Sequence, residues 1–207
     1  MKPIFIENFL PEVLNNFIHS YCVMKYQNLD QISPDGTNNT DSIINEYGDY
    51  AMETILDMST PVVEQNVGKK LYPVNAFLRI YDKGSQLKIH TDRDACEYTV
   101  ALCLGASPSN MPYSIFTGEP DSNSDYKFFD LHDKHVPVKI DGKFPMIPNS
   151  ALIFQGQDKL HWREFCEHDY FITVFLHYVD QNGELSSKKF DGRNRLGESR
   201  VHVPNSK

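Results

Sequence analysis

The sequence contains no long apolar run. Nowhere do 18 apolar residues follow one another, and polar residues such as Glu7 and Glu12 interrupt the stretch after Met1. A membrane-spanning helix and a secretory signal peptide are therefore not expected. The four cysteines form no CxxC pair and no regular framework. We therefore expect a soluble, cytoplasmic protein whose thiols are reduced.

A surplus of basic residues is also missing. The chain has 20 Lys and Arg against 28 Asp and Glu, which gives a formal net charge of −8. Proteins that bind phosphate backbones usually show a basic face, so nucleic acid is not the expected partner. No HExxH motif is present either. Its absence weighs against a zinc hydrolase, which needs a Glu placed as general base.

The first third of the chain has helical periodicity. Residues 11–24 place apolar side chains at helical spacing after a proline, and a second helical segment covers roughly 47–70. We expect that segment to break near Pro61, because proline is suited to starting a new helix. The polar residues 25–50 between the two segments read as an exposed loop.

From Tyr72 onward the sequence changes to about eight short β-type runs separated by turn signals. At 207 residues we expect one domain, residues 1–180, with a helical part over about 1–72 and a β core over about 73–180. Residues 181–207 read as a loose, polar C-terminal extension. The predicted fold is mainly β, a sandwich or jelly roll buttressed by the N-terminal helices.

A candidate metal site combines His90 and Asp92 with the distant His161. A lone HxD or HxE pair is weak evidence, because eight His and 28 Asp and Glu in 207 positions predict about one such pair by chance. Here, however, the pair follows a strand and a glycine turn, and His161 follows the strand-like run 151–155 and another glycine turn. Residues i and i+2 of a strand share a face. Two His and one carboxylate form the facial triad that holds non-haem Fe(II) and leaves coordination positions open.

The residues around this site carry a resemblance to a known family. The stretch "RIYDKGSQLKIHTDRDACEYTVALCL" resembles the Fe(II)- and 2-oxoglutarate-dependent dioxygenases, most closely the prolyl 4-hydroxylase-like branch, in the spacing of Tyr81, Gly84, His90 and Asp92. The stretch "ALIFQGQDKLHWRE" is similar to the family's distal strand, and "IENFLPEVLNNFI" to its N-terminal helix entry. The resemblance covers roughly residues 4–180. It implies a double-stranded β-helix fold.

The resemblance also implies an activity and its cofactors. They are Fe(II) held by His90, Asp92 and His161, with 2-oxoglutarate and O₂ as co-substrates and ascorbate as a further candidate. The implied reaction is oxidative decarboxylation of 2-oxoglutarate to succinate and CO₂ coupled to C–H hydroxylation. The expected substrate is a peptide, a protein or a free amino acid, with proline foremost. The alternatives are a non-catalytic cupin-like ligand-binding module and a nucleic-acid-modifying oxygenase of the same superfamily.

The family's cation for the far carboxylate of 2-oxoglutarate is displaced in this chain. That Lys or Arg usually lies about ten residues after the distal His, where this sequence has Phe171. Arg163 is the leading replacement, with Arg79 and Arg93 as alternatives, since an Arg can bind a carboxylate bidentately. Arg163 shares the metal-facing side with His161 only if the chain between them is extended. The family's "GGxTxF" stretch after the HxD strand is absent as well.

Other residues have open alternatives. By its family position Tyr81 would help to bind the 2-oxoglutarate carboxylate, and Thr99 could add a hydroxyl to the same pocket. Trp162, the only Trp, is a candidate substrate wall or a packing residue. His177, inside an apolar strand, reads as a core histidine rather than a ligand, and His168 as a solvated loop residue. The segments 25–50 and 107–137 are long enough to form lids beside the iron.

Overall fold

The computed structural model describes residues 1–28, 43–121, 127–129 and 135–198. Two α-helices lie in this part of the chain, α1 (Glu12–Gln27) and α2 (Tyr50–Val67), with a 3-10 helix over Ser186–Gly192 near its end. The strands are β1 (Ile4–Ile6), β2 (Ile44–Tyr47), β3 (Leu71–Tyr81), β4 (Leu87–His90), β5 (Tyr98–Ser107), β6 (Tyr113–Pro120), β7 (Lys127–Phe129), β8 (His135–Met146), β9 (Ala151–Phe154), β10 (Leu160–Arg163) and β11 (Tyr170–Asp180). No helix within these described ranges is long and apolar enough to cross a membrane.

The strands form two antiparallel sheets. The larger has the order β1-β9-β5-β11-β3-β2, and the smaller has the order β4-β10-β6-β8-β7. Side chains of both sheets meet in one buried cluster that includes Phe171 and Leu152 from the larger sheet and Ile115 from the smaller. This is the double-stranded β-helix, so the predicted fold class is confirmed.

Strand alternation separates the two faces of the larger sheet. On β5, Val100 and Leu102 pack towards the helices in a cluster that also contains Ile18 of α1 and Leu56 of α2. Residues between them, such as Ala101, point to the space between the sheets. The helices therefore cover the outer face of the larger sheet and leave the inner face for the site.

Helix α2 is continuous, so the predicted break near Pro61 is wrong. Asp49 caps its start by accepting hydrogen bonds from the backbone of Ala51 and Met52, and Gly68 ends it in the left-handed conformation with φ 71°. Pro61 lies on the exposed side of α2, as does Asp57 one turn earlier. The carbonyl that loses its helical hydrogen bond to Pro61 can therefore bond to water, which makes the proline tolerable.

Three strands were not predicted as such. β1 and β2 lie in the part predicted to be helical and add to the two edges of the larger sheet, where β1 pairs with β9 and β2 with β3. β10 carries His161 between β4 and β6. Each has only three or four residues, too few for periodicity to identify, and is extended because a partner strand lies beside it.

The described part of the C-terminal extension is docked, so the expectation that it is loose is wrong for residues 181–198. Arg193 and Glu53 of α2 form an ion pair at 2.6 Å with side chains 4% and 2% exposed. Asp191 binds both guanidinium nitrogens of Arg93 at 2.7 and 2.9 Å. The division of the chain at residue 180 stays a prediction. Much of the two proposed lids, residues 29–42, 122–126 and 130–134, lies outside the described ranges.

Candidate metal centre

The predicted ligands His90, Asp92 and His161 converge on one point. His90 ends β4 and lies directly opposite His161 of β10 in the antiparallel register. The Nε2 atoms of both histidines lie 3.6 Å from Asp92 Oδ1, and the two ring centroids are 4.2 Å apart. Two ligands about 2.1 Å from an ion and at right angles are about 3 Å apart. A modest contraction would therefore let all three side chains hold one metal ion.

Backbone carbonyls orient both histidine rings. His90 Nδ1 lies 2.9 Å from the carbonyl oxygen of Lys88, and His161 Nδ1 lies 3.0 Å from that of Lys159. A carbonyl only accepts, so each Nδ1 must carry the hydrogen and each Nε2 presents a lone pair to the centre. The two rings are thus held in the tautomer that binds metal.

Electrostatics also favour a ligand set for a cation. Burial acts to raise the pKa of the Asp92 carboxyl, but the nearby His161, His90 and His177 rings outweigh it and hold that pKa well below its usual range. Burial, with a smaller contribution from His90, lowers the pKa of His161 to about 4. At neutral pH the centre therefore offers one carboxylate and a neutral imidazole from His161, the forms that coordinate metals.

A glycine allows Asp92 to reach the centre. The backbone N–H of Asp92 donates to the carbonyl of Gly156 at 2.8 Å. A Cβ on Gly156 would lie 2.2 Å from both Asp92 Oδ2 and Thr99 Oγ1. Residue 156 must therefore be glycine for this approach. The glycine turn before His161 serves the metal centre through the contact with Asp92.

Arg163 lies on the same face of β10 as His161, because residues 160–163 are extended. It is 1% exposed, and its Cζ lies 5.8, 4.9 and 5.1 Å from the ring centroids of Tyr81, Tyr113 and Phe171. Nη1 donates to the carbonyl of Tyr113 at 2.5 Å. Nε, Nη2 and the Tyr81 hydroxyl are buried without a hydrogen-bond partner in the described part of the chain. The guanidinium of Arg163 and the hydroxyl of Tyr81 could therefore donate hydrogen bonds to the carboxylate of a bound ligand.

The other two candidate cations lie in different surroundings. Arg93, one residue after Asp92, is held by Asp191 of the C-terminal extension rather than turned towards the centre. Its predicted role as a co-substrate cation is therefore not supported. Arg79 is buried on the same face of β3 as Tyr81, with its Cζ 4.9 Å from the ring centroid of Phe77. Arg79 stays the alternative to Arg163.

Thr99 and Trp162 do not lie where the sequence-based hypothesis put them. The Thr99 hydroxyl donates to Asp92 Oδ2 at 2.7 Å, so it supports a metal ligand rather than joining Arg163 and Tyr81. Trp162 alternates with His161 and Arg163 along β10 and therefore faces the other side. There it stacks on Phe116, with ring centroids 5.5 Å apart and planes at 12°. Among the described residues, Trp162 therefore packs within the cluster of Ile89, Phe116 and Val138.

Two further histidines and one threonine complete the surroundings. His177 is buried and hydrogen-bonded, as expected for a core histidine. His168 was expected to be solvated, and this is wrong: it is 1% exposed and its Nε2 contacts the Met111 carbonyl at 2.8 Å. Sequence reasoning missed Thr173, whose buried Oγ1 has no partner among the described residues. Its spacing of two from Phe171 on one strand was the available signal.

Comparisons with known proteins agree with this fold. No family model matches the chain, and no curated protein matches it. Solved structures do. One is a Pseudomonas putida prolyl-4-hydroxylase, with 13% identity, TM-score 0.55, and coverage of 84% of this chain and 91% of that one. Another is a Trichoplax adhaerens prolyl hydroxylase in complex with a hypoxia inducible factor peptide fragment, with 16% identity, TM-score 0.59, and coverage of 86% and 84%.

A third similar structure differs in its reaction. The epimerase SnoN, in complex with Fe³⁺, alpha ketoglutarate and nogalamycin RO, has 11% identity, TM-score 0.58, and coverage of 86% of this chain and 78% of that one. At such identities these likenesses show a shared fold. They confirm, at the level of the fold, the resemblance that the sequence motifs carried.

Proposed function

We propose that this protein is an Fe(II)- and 2-oxoglutarate-dependent oxygenase that hydroxylates an amino-acid residue, free or in a peptide, with proline as the first candidate. One observation carries the proposal. Two imidazole Nε2 atoms and one carboxylate oxygen converge within 4.8 Å of one another, and between the two sheets a buried Arg and a buried Tyr, in contact with each other, have unused donors. That combination suits a metal chelated by a ligand with a second, distant carboxylate.

His90, Asp92 and His161 would hold the iron through three ligand atoms and leave the remaining positions open. Bound iron would supply the oxidative decarboxylation of 2-oxoglutarate to succinate and CO₂, with one atom of O₂ entering a substrate C–H bond and the other entering succinate. The backbone bonds from Nδ1 of both histidines keep their Nε2 atoms directed at the metal.

Arg163 would bind the far carboxylate of 2-oxoglutarate, with the Tyr81 hydroxyl donating a further hydrogen bond. The rings of Tyr113 and Phe171 beside the guanidinium keep water away and strengthen the interaction in the low local dielectric. Thr173, on the same strand face as Phe171, supplies another buried hydroxyl on the inner face of the larger sheet. A charge at position 171 would not be needed if Arg163 binds the carboxylate from β10.

The substrate class is the finer part of the proposal. Two similar structures are prolyl hydroxylases, and one of them is in complex with a peptide fragment, which supports a peptide or protein substrate. SnoN is an epimerase, so this fold carries more than one reaction outcome. A non-catalytic binding module is the weaker alternative, because such a module has no need of a complete set of three metal ligands.

The test is a two-step assay on the full chain. First, Fe(II) and 2-oxoglutarate are added without oxygen, and binding is followed by calorimetry and by the metal-to-ligand charge-transfer absorption. Then air is admitted with proline-containing peptides, free proline, lysine or single-stranded oligonucleotides, and succinate release is compared with a mass gain of one oxygen atom. We expect turnover with a peptide or amino acid. Turnover with oligonucleotides alone would contradict the substrate class.

The chain offers a matched control for the metal ligand. Asp92→Asn should abolish iron binding and turnover, whereas Asp94→Asn, two residues away, should leave both unchanged because the Asp94 side chain is 61% exposed and pairs with Lys188. Failure of the wild-type protein to bind Fe(II) would refute the proposal altogether. Iron and 2-oxoglutarate binding with no succinate from any substrate would favour the binding module.

A further inference from the structure

A short chain of hydrogen bonds runs from the proposed iron ligand Asp92 into the larger sheet. Thr99 of β5 and His177 of β11 are directly opposite each other in the antiparallel register. Thr99 Oγ1 lies 2.7 Å from Asp92 Oδ2, and His177 Nδ1 lies 3.2 Å from Thr99 Oγ1. Thr99 is fully buried and His177 is 7% exposed. The three side chains therefore form one continuous chain that is buried at Thr99 and His177 and partly exposed at Asp92.

The direction of these bonds follows from the donors available. An ionised Asp92 has no hydrogen to give, so the Thr99 hydroxyl must donate its only hydrogen to Oδ2. The hydroxyl oxygen can then only accept from His177, which requires the hydrogen of the His177 ring to be on Nδ1. The chain thus runs from His177 to Thr99 to Asp92. Each donor polarises the next, which strengthens the bond to the carboxylate.

The two oxygens of Asp92 therefore have different partners. Oδ1 lies 3.6 Å from Nε2 of both His90 and His161, while Oδ2 accepts from Thr99 on the side away from these rings. We propose that Thr99 and His177 are positioning residues that hold Asp92 as a one-oxygen iron ligand. This inference rests on the proposed function, since it concerns the same metal centre.

One-oxygen binding matters because of the number of coordination positions. If the carboxylate bound the ion through both oxygens, it and the two histidines would fill four of the six coordination positions and leave two open. Three open positions are needed, because a 2-oxo acid chelates through two oxygens and O₂ takes one further position. The hydrogen bond from Thr99 opposes binding through both oxygens by keeping Oδ2 engaged. Gly156 packs directly against the carboxylate and the hydroxyl, so closely that a Cβ on it would overlap both Asp92 Oδ2 and Thr99 Oγ1. This leaves the carboxylate little room to turn.

The same atoms admit a different interpretation, which the distances disfavour. Asp92, Cys96 and His177 form a second group of side chains close enough to share a metal ion. However, the Thr99 hydroxyl lies within hydrogen-bond distance of both Asp92 Oδ2 and His177 Nδ1. Asp92 Oδ2 and His177 Nδ1 thus already have a partner without an ion. The hydrogen-bonded chain explains the cluster, and a second metal site is left as an outcome for the test.

The experiment uses Co(II) as the probe, because its visible absorption reports coordination number without turnover. Thr99→Val removes the hydroxyl at nearly constant shape, and Thr99→Ser restores it. We expect Thr99→Val to weaken Co(II) binding about 10- to 100-fold and to change the absorption of the bound ion, and Thr99→Ser to return both to wild type. Thr54→Val, on the exposed side of α2, makes the same side-chain change away from the site and should bind Co(II) like wild type.

In this proposal His177 acts on Asp92 only through Thr99, so His177 variants test the order of the residues in the hydrogen-bonded chain. His177→Leu should shift Co(II) affinity in the same direction but less, and His177→Asn, which keeps a donor near the Nδ1 position, should restore much of it. The double variant Thr99→Val/His177→Leu should be no weaker than Thr99→Val alone, since the two residues act in series. Circular dichroism shows whether each variant is folded.

Several outcomes would overturn the inference. One is a folded Thr99→Val protein with wild-type Co(II) affinity and absorption, and another is a Thr99→Val defect that Thr99→Ser does not restore. A further contrary outcome is that wild type binds a second equivalent of Co(II) and shows thiolate-to-metal absorption. If Cys96→Ser removed that absorption, the cluster of Asp92, Cys96 and His177 would be a second metal site and the inference would be wrong. Failure of wild type to bind any Co(II) or Fe(II) would instead refute the proposed function, so the two failures are distinguishable.

Discussion

Arg163 combines deep burial with unused hydrogen-bonding capacity. It is 1% exposed, and among the described residues only Nη1 has a partner, the Tyr113 carbonyl. Burying an incompletely paired charge is costly. The surrounding Tyr81, Tyr113 and Phe171 rings offset part of that cost through cation–π contacts. An anionic ligand would complete the contacts of the guanidinium.

Replacing Arg163 should therefore separate co-substrate binding from metal binding. Losing a charge-assisted bidentate pair costs about 2–5 kcal/mol, which is roughly thirtyfold to several thousandfold in affinity. We expect Arg163→Ala to raise the KM for 2-oxoglutarate by such a factor while iron affinity stays close to wild type. Initial rates at graded 2-oxoglutarate concentrations, with anaerobic iron titrations alongside, measure both quantities.

The control for Arg163 is the other buried arginine of the inner face. Arg79→Ala leaves Arg163 and Tyr81 in place and should change the KM for 2-oxoglutarate much less. If the larger effect came from Arg79→Ala instead, the carboxylate would be assigned to Arg79. Arg163→Lys should be only a partial substitute, because an ammonium cannot make the two parallel bonds of a guanidinium.

Among the elements, α2 begins at a residue that also connects it to α1. The Asp49 carboxylate caps α2 through Ala51 and Met52 and also contacts Lys25 of α1 at 2.9 Å and the Tyr21 hydroxyl at 2.5 Å. Burial acts to raise the pKa of Asp49, but the bonds from Tyr21, Lys25 and the Met52 backbone outweigh it and lower the pKa below its usual value. One carboxylate thus stabilises the packing of both helices.

The lowered pKa of Asp49 gives a pH dependence with a definite sign. Because the folded-state pKa lies below the unfolded one, the stabilisation is complete above about pH 4 and is lost as pH falls further. Asp49→Asn keeps a capping side chain but not the charge, so it should destabilise at pH 7 and much less at about pH 3. Asp49→Ala also removes the N-cap, which should lower the free energy of unfolding by about 1 kcal/mol more. Urea unfolding at both pH values measures these differences.

The C-terminal extension is tied to α2 by a buried ion pair. Arg193 contacts Glu53 Oε1, and the backbone N–H of Gly197 donates to Glu53 Oε2. Removing one partner of a buried pair leaves an uncompensated charge and typically costs about 3–5 kcal/mol. We expect Arg193→Ala to lower the free energy of unfolding by that amount, as measured by chemical denaturation.

A surface pair provides the comparison for Arg193. Lys70→Ala removes a partner of Glu64 from a pair whose Lys side chain is 72% exposed, and such pairs contribute about 0–1 kcal/mol. Equal losses in the two variants would show that the extension is not held by the Glu53 contact. Because Asp191 of the same extension binds Arg93 next to Asp92, Arg193→Ala should also be tested for iron affinity.

At the scale of the whole molecule, the proposed metal and co-substrate together would link the two sheets, the metal through the smaller sheet and the co-substrate through the larger. His90 and His161 belong to the smaller sheet, whereas Tyr81 and Thr173 belong to the larger. A ligand that binds only the folded state stabilises it by mass action, by about 2.7 kcal/mol at 100 times its dissociation constant. Joint binding across the two sheets should therefore raise the stability of the entire fold.

For a chain of 207 residues such a gain corresponds to a Tm increase of roughly 5–10 °C. We expect that increase in Tm, measured by calorimetry or fluorescence, when Fe(II) and 2-oxoglutarate are added together without oxygen. His161→Ala should show no increase. Arg163→Ala should keep the increase due to iron and lose the part due to 2-oxoglutarate. An increase that survives in His161→Ala would mean that the ligands bind elsewhere.

Elements with strong local patterns were predictable from the sequence. The β-type runs correspond to β3–β9 and β11, and the two helical segments to α1 and α2. The longer elements contain several repeats of their period, and the short β4, β7 and β9 are runs rich in apolar residues between turn signals. The short strands β1, β2 and β10 were not predictable, since three or four residues carry almost no periodicity. Pro61 misled the prediction for α2, because whether a proline breaks a helix depends on what its freed carbonyl faces.

By itself the sequence identified the candidate ligands, because the HxD spacing and the pattern around His161 resemble a known motif, although Asp92 lies just beyond the end of β4 rather than on its face. Only the tertiary structure decided how the other polar residues serve that set. Arg163 reaches the inner face because β10 is extended between β4 and β6, and Thr99 serves Asp92 because Gly156 lets the two side chains approach. Such contacts join residues that are far apart in the chain. Their partners are therefore set by packing and register rather than by local pattern.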